Sequence, residues 1–177
     1  MKKIIVSLFC SVVAVSAFAL NPVREYSVTP DEYGIEYEEK KITTEDGVSL
    51  NAWWFKPQNK SGAKAIIIAD DGDGNMADNI ELITKFTSLG YHVLAFDYRG
   101  YGKSDDFKIN PKMICYPQFE KDVKAVMDHV KKNHASMSSN LYGKGMGASL
   151  LLAAAANRTD VRKVIADTPF LKLETYK

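Results

Sequence analysis

The sequence is poor in cysteine. Cys10 lies in an apolar leader and Cys115 stands alone in the remainder, so no internal disulfide can form once the leader is removed. No cluster of cations surrounds Cys115, and it is expected to be a buried, inert thiol. Histidine is scarce too: His92, His129 and His134 are the whole supply. Excess charge of either sign is lacking. Setting aside Lys2 and Lys3, the remaining basic residues are one fewer than the 22 acidic ones, which excludes nucleic acid as an expected partner. Internal repeats and low-complexity tracts are absent.

What is present begins with Lys2 and Lys3, an apolar run from Ile4 to Leu20, and the small-x-small site Ala17-Phe18-Ala19. This pattern predicts a secretory signal peptide over residues 1–19 and an exported protein, periplasmic or extracellular. The run is short for a comfortable membrane anchor. Phe9 before Cys10 argues against lipidation there. No membrane association is expected after cleavage. Residues 20–34, with Pro22 and Pro30, are expected to be an irregular leader laid across a domain of residues 35–177.

That domain opens with a hairpin. Ile35 to Thr43 and Val48 to Phe55 alternate in polarity around Asp46-Gly47, a pair that accepts the positive φ angles of a tight turn. Trp53 and Trp54 point to opposite faces of the second strand, so at most one is expected in the core. Strands and helices then alternate. Strands are predicted at Ala65–Ala69, Tyr91–Phe96, Asn140–Tyr142 and Val161–Ala166, and helices at Met76–Leu89, Tyr116–Asn133 and Met146–Asn157. Phe119, Val123, Val126 and Val130 form one apolar face of the second helix. The order predicts an α/β fold: a mostly parallel sheet with an N-terminal β-hairpin and helices on both faces.

Gly143-Lys144-Gly145-Met146-Gly147 follows a strand and opens a helix, the setting of a G-x-S-x-G nucleophile elbow, with glycine at the serine position. Ala65 to Asn75 reads as a strand entering a Gly-containing turn, and Gly90 to Ser104 includes Asp97-Tyr98-Arg99-Gly100-Tyr101-Gly102. With these segments the chain resembles the α/β-hydrolase family, and the resemblance covers nearly all of residues 36–177. It implies ester, thioester or amide hydrolysis through a serine nucleophile, followed along the chain by an acid and a histidine.

None of the three is identifiable here. Gly145 has no side chain, all three histidines precede it, and the family's last strands are not represented before Lys177. Loss of the nucleophile in such a triad costs on the order of a millionfold in turnover. Ser149 lies about one helical turn beyond Gly145 and is expected to face packing; Lys144 and Ser104 are nearer in principle, but neither has a recognisable base partner. The chain is therefore expected to be either a pseudoenzyme or the N-terminal portion of a longer, truncated hydrolase-like protein. In the second case the final strand would expose apolar surface and promote self-association through an unpaired edge.

The resemblance also implies a former oxyanion pocket built from Asp71, Gly72, Asp73, Gly145 and Met146, with the backbone amides of Asp73 and Met146 aimed at a shared point. Asp71 stands at the family's histidine position. A carboxylate about 4 Å from a developing oxyanion repels it by roughly 4 kcal/mol at an effective dielectric near 20. A small molecule is the expected occupant, with no cofactor and no metal. Two alternatives stay open. Asp71, Asp73, Asn75 and Asp78 have the start of a calcium-loop spacing, although Met76 replaces its glycine; as helix-capping residues they need no ion. Gly143, Gly145 and Ala148 fit a dinucleotide turn, with Asp167 about 20 residues on as the ribose-binding acid; as packing glycines they need no nucleotide.

Overall fold

The computed structural model describes residues 20–58 and 63–169. The expected signal peptide, with Cys10, lies outside the described residues. In chain order the elements are β1 (Asn21–Pro22), a 3-10 turn (Pro30–Tyr33), β2 (Glu38–Thr43), β3 (Ser49–Phe55), β4 (Lys64–Ala69) and β5 (Asp73–Gly74). A second 3-10 turn (Met76–Asn79) leads into α1 (Ile80–Ser88), followed by β6 (His92–Phe96), α2 (Pro117–Asn133), β7 (Ser138–Lys144), α3 (Gly145–Ala155) and β8 (Val161–Asp167).

Six strands form one sheet in the order β2-β3-β6-β4-β7-β8. The hairpin strands β2 and β3 pair antiparallel, and β3 pairs antiparallel with β6. The rest of the sheet is parallel. Parallel strands joined by helices are covered on both faces, which is why Ala65 to Ala69 is apolar without alternation. Ile67, Leu94 and Leu141 pack with Phe119, Val123, Val126 and Val130 of α2 and Leu150 of α3. Ile66, Ile68, Val93 and Ala95 pack on the other face with Ile83 of α1.

Both tryptophans are core residues, at 1% and 3% exposure for Trp53 and Trp54, against the expectation that at most one would be. They do point to opposite faces, but each face is covered. Trp53 meets Tyr26 and Tyr37 from the preceding segment, while Trp54 lies between the imidazoles of His92 and His134.

The leader is more ordered than its composition predicts. Leu20 is fully buried, β1 pairs parallel with β5, and the Tyr26 hydroxyl donates to Asp97 at the end of β6. Asn75 holds the next turn of this segment through Nδ2, which donates to the carbonyls of Val23 and Glu25. The expected helix from Met76 instead opens with a 3-10 turn. The Asn75 carboxamide accepts from the Ala77 amide, and the Asn75 amide donates to Asp78, a reciprocal cap.

One buried ion cluster locks the loop after β6. Arg99, 3% exposed, makes a forked pair with Asp46 of the hairpin turn and donates from Nε and Nη2 to Asp122 of α2. It joins three separate elements through one guanidinium, whose planar donors match two carboxylates at once.

Candidate functional site

The carboxyl ends of β4, β6 and β7 meet where an open parallel sheet binds ligands. The sharp turn from β7 into α3 is kept in backbone form. Gly145 has φ +50°, a left-handed conformation that an L side chain enters only at a cost. Gly143 and Gly147 serve close packing. A Cβ on Gly143 would come 2.6 Å from the Cα of Ala148, and one on Gly147 would come 2.3 Å from the Ala69 carbonyl oxygen. Both glycines are thus required by the strand-to-helix turn, whatever it binds. Asp167, at the end of β8, is in register with Lys144 on β7.

The space a nucleophile would occupy is closed from the side. A Cβ built on Gly145 would lie 2.9 Å from the Cβ of Asp71. The Asp71 carboxylate is held at both oxygens: Oδ2 pairs with Lys144 Nζ at 2.7 Å, and Oδ1 accepts from the Asp73 amide at 3.1 Å. The Asp73 amide, which the resemblance implies to be an oxyanion donor, is therefore already turned to an internal carboxylate. Asp71 takes the place of an incoming anion.

Asp70 lies beneath it. Its carboxylate accepts from the Asp71 amide at 2.6 Å and from the Asn79 carboxamide. Burial, together with the hydrogen bond and charge of Asp71, pushes its carboxyl up to about 8. Burial acts on Asp71 in the same sense, but hydrogen bonds from Asp70 and Lys144 outweigh it and hold Asp71 below the usual carboxylate range. The two shifts favour the proton on Asp70 and the negative charge on Asp71, where Lys144 pairs with it. Asp70, Asp71, Asp73, Gly74, Asp78, Asn79 and Lys144 line a cavity of 380 Å³.

The inner side of the turn is sealed. A Cβ on Gly72 would lie 2.7 Å from Leu20 Cδ2 and 3.2 Å from Met146 Cε, and the Tyr101 hydroxyl donates to the Gly72 carbonyl. The Asn21 amide donates to that same carbonyl, and its side chain donates to Asp73. Sequence reasoning did not find Leu20, Asn21 or Tyr101 as neighbours of this site, because they lie far from it along the chain.

The remaining candidates are engaged elsewhere. Ser104 accepts from the Asn51 amide and donates to the Asp97 carbonyl. Ser149 donates to the Gly145 carbonyl inside α3. His92 and His134 stack on Trp54 at the amino ends of the parallel strands, the opposite end of the sheet. Burial pushes the Cys115 thiol up to about 11. Of the four oxygen donors with calcium-loop spacing, Asp71, Asn75 and Asp78 make the contacts given above, and Asp73 accepts from Asn21. Among the described residues, no group of three or more His, Cys, Asp or Glu is placed to hold a metal ion.

Comparison with known proteins agrees with this fold. The family model described as serine aminopeptidase, S33, matches residues 62–177. The alpha/beta hydrolase domain-containing protein WAV2 of Arabidopsis thaliana is 25% identical over 154 residues, covering 85% of this chain and 48% of that protein. An uncharacterized membrane protein of Saccharomyces cerevisiae, YNL320W, is 29% identical, covering 85% of this chain and 51% of its own length. The Pyrococcus furiosus esterase Pf2001 superposes with a TM-score of 0.71 at 27% identity, over 85% of this chain and 57% of that one. The chain spans about half the length of the curated relatives it matches.

Proposed function

The chain belongs to the serine aminopeptidase (S33) family of α/β hydrolases, and from that premise we propose that its elbow site binds a small molecule without cleaving it. The single observation that carries this reading is Gly145 at φ +50°, with Asp71 filling the space beside it and bonded to the Asp73 amide. The turn that would present a serine persists, while the anion-stabilising donor is turned inward. The cavity joins Asp71, Asp73 and Asp78 to Lys144, a balance that favours a ligand with an amine and disfavours the anionic intermediate of acyl transfer. The apolar leader supports an exported location for this activity.

The test is binding and turnover measured on the same preparation. Lysine amide, used as an amine probe, is expected to raise the melting temperature saturably, and Asp71→Ala to abolish that rise. Ester and aminoacyl-anilide panels are expected to show no hydrolysis above buffer. Hydrolysis blocked by a serine-directed phosphonate would overturn the reading.

A second reading draws on the coverage of about half the relatives' length. In it, further strands carry the acid and the histidine, and Gly145 is the one departure from the family's chemistry. The exposure of apolar Ile165 (47%) on β8, the outermost strand of the sheet, supports it. The same surface supports self-association of the chain. Reading the source gene past the codon for Lys177 separates the two: an open frame encoding an acid and a histidine favours the second, a stop codon the first.

A further inference from the structure

The amino ends of the parallel strands, opposite the elbow, gather three cations into one depression. Lys64 opens β4, and Arg162 and Lys163 lie near the start of β8; with Tyr91, Ser138 and Asn140 they line a cavity of 100 Å³ that, among the described residues, no carboxylate enters. Among the described residues, most basic side chains have acidic partners, Arg24, Lys85, Lys124 and Arg158 among them. Among the described residues, Lys64, Arg162 and Lys163 form no ion pair. The Lys64 ammonium instead lies 5.7 Å from the centre of the Tyr91 ring.

Backbone irregularity explains how two consecutive residues share one depression. Neighbours on a regular strand point to opposite faces. Between β7 and β8 the register passes from Ser139 opposite Val161 to Asn140 opposite Lys163, so Arg162 is an extra residue. Such a bulge breaks the alternation and re-aims a side chain. Here it brings Arg162 and Lys163 to the same cavity. The floor is fixed from β7, where the Asn140 carboxamide donates to the carbonyls of Ala65 and Ser138.

Like charges converging without a counterion repel one another, and an anion placed among them relieves that repulsion. We propose that this depression binds a tetrahedral oxyanion of the phosphate class, free or as a phosphomonoester headgroup. Arg162 supplies planar paired donors, while Lys64 and Lys163 supply point charges. The cavity volume, about that of three waters at ~30 Å³ each, suits one such group. This site shares no residue with the elbow and stands independently of the function proposed there.

The test is calorimetric titration of the full chain with inorganic phosphate, at constant ionic strength maintained with chloride. Saturable one-to-one binding is expected, weakened at least tenfold in the combined variant Lys64→Gln, Arg162→Gln, Lys163→Gln. A control with Lys108, Lys112 and Lys132 changed to Gln removes the same charge from exposed positions elsewhere and is expected to keep the wild-type affinity. Lys64→Gln and Lys163→Gln singly are expected to weaken binding by lesser factors and guard against misfolding of the triple variant. A parallel arm with phosphatidic acid vesicles distinguishes the sources. Binding to vesicles alone, lost in the site variant and kept in the control, assigns the headgroup; binding to inorganic phosphate assigns the free anion. Absence of both, or equal loss in the control, would overturn the proposal.

Discussion

A Cβ on Gly145 would lie 2.9 Å from the Cβ of Asp71, nearer than such atoms normally approach, on a residue whose φ is +50°. The two positions are therefore coupled. Gly145→Ala and Gly145→Ser are each expected to destabilise the fold by about 1–3 kcal/mol, from left-handed strain and crowding together. Removing the opposing Cβ with Asp71→Gly should relieve the crowding part. A double-mutant cycle followed by urea denaturation is expected to give a favourable coupling of about 0.5 kcal/mol or more between Gly145→Ser and Asp71→Gly. Simple additivity would show that the two positions do not compete for space.

Asp70 predicts a pH dependence of defined sign. Its carboxyl is raised from the ordinary range to about 8, so between roughly pH 4 and 8 the folded state holds a proton that the unfolded state has released. Stability from this group is present in full at low pH and is lost as pH rises toward 8. The limiting slope is about 1.4 kcal/mol per pH unit for one proton. Replacement by Asn removes the titration. The stability difference between wild type and Asp70→Asn, measured by denaturation from pH 5 to 9, is expected to shift against wild type with rising pH and level off above 8. A difference independent of pH would contradict the proton placement.

Arg99 is the buried hinge of a charge cluster. Truncating it leaves Asp122, whose side chain has no exposure, without a cation. Arg99→Ala is expected to cost about 3–5 kcal/mol. Arg99→Lys should recover only part of this, because an ammonium cannot satisfy Asp46 and Asp122 with the same paired geometry. Chemical denaturation midpoints check both values. A loss below 1 kcal/mol for Arg99→Ala would show that the cluster is dispensable.

Much of the fold was legible in the residues because its signals are local. Asp46-Gly47 between alternating runs marked the hairpin, the apolar run at Ala65–Ala69 marked a strand covered on both faces, and the Phe119–Val130 stripe marked the packed face of α2. The glycine-rich turn at 143–147 identified the elbow. What escaped depends on contacts between distant residues. The leader docks through Leu20, Asn21 and Tyr26 onto Gly72, Asp73 and Asp97, some 50 to 71 positions away. That docking also covers Trp53, which alternation alone would have left for solvent to share. At the site, the Lys144–Asp71 pair joins residues whose proximity follows only once β4 and β7 are known to be neighbours.

The central claim, an elbow that binds without cleaving, is tested most directly by the rate of hydrolysis of short-chain p-nitrophenyl esters by the purified chain and its Asp71→Ala variant. The account predicts rates equal to buffer for both proteins. Saturable turnover by the wild-type chain, lost in Asp71→Ala, would contradict it and make Asp71 a participant in catalysis.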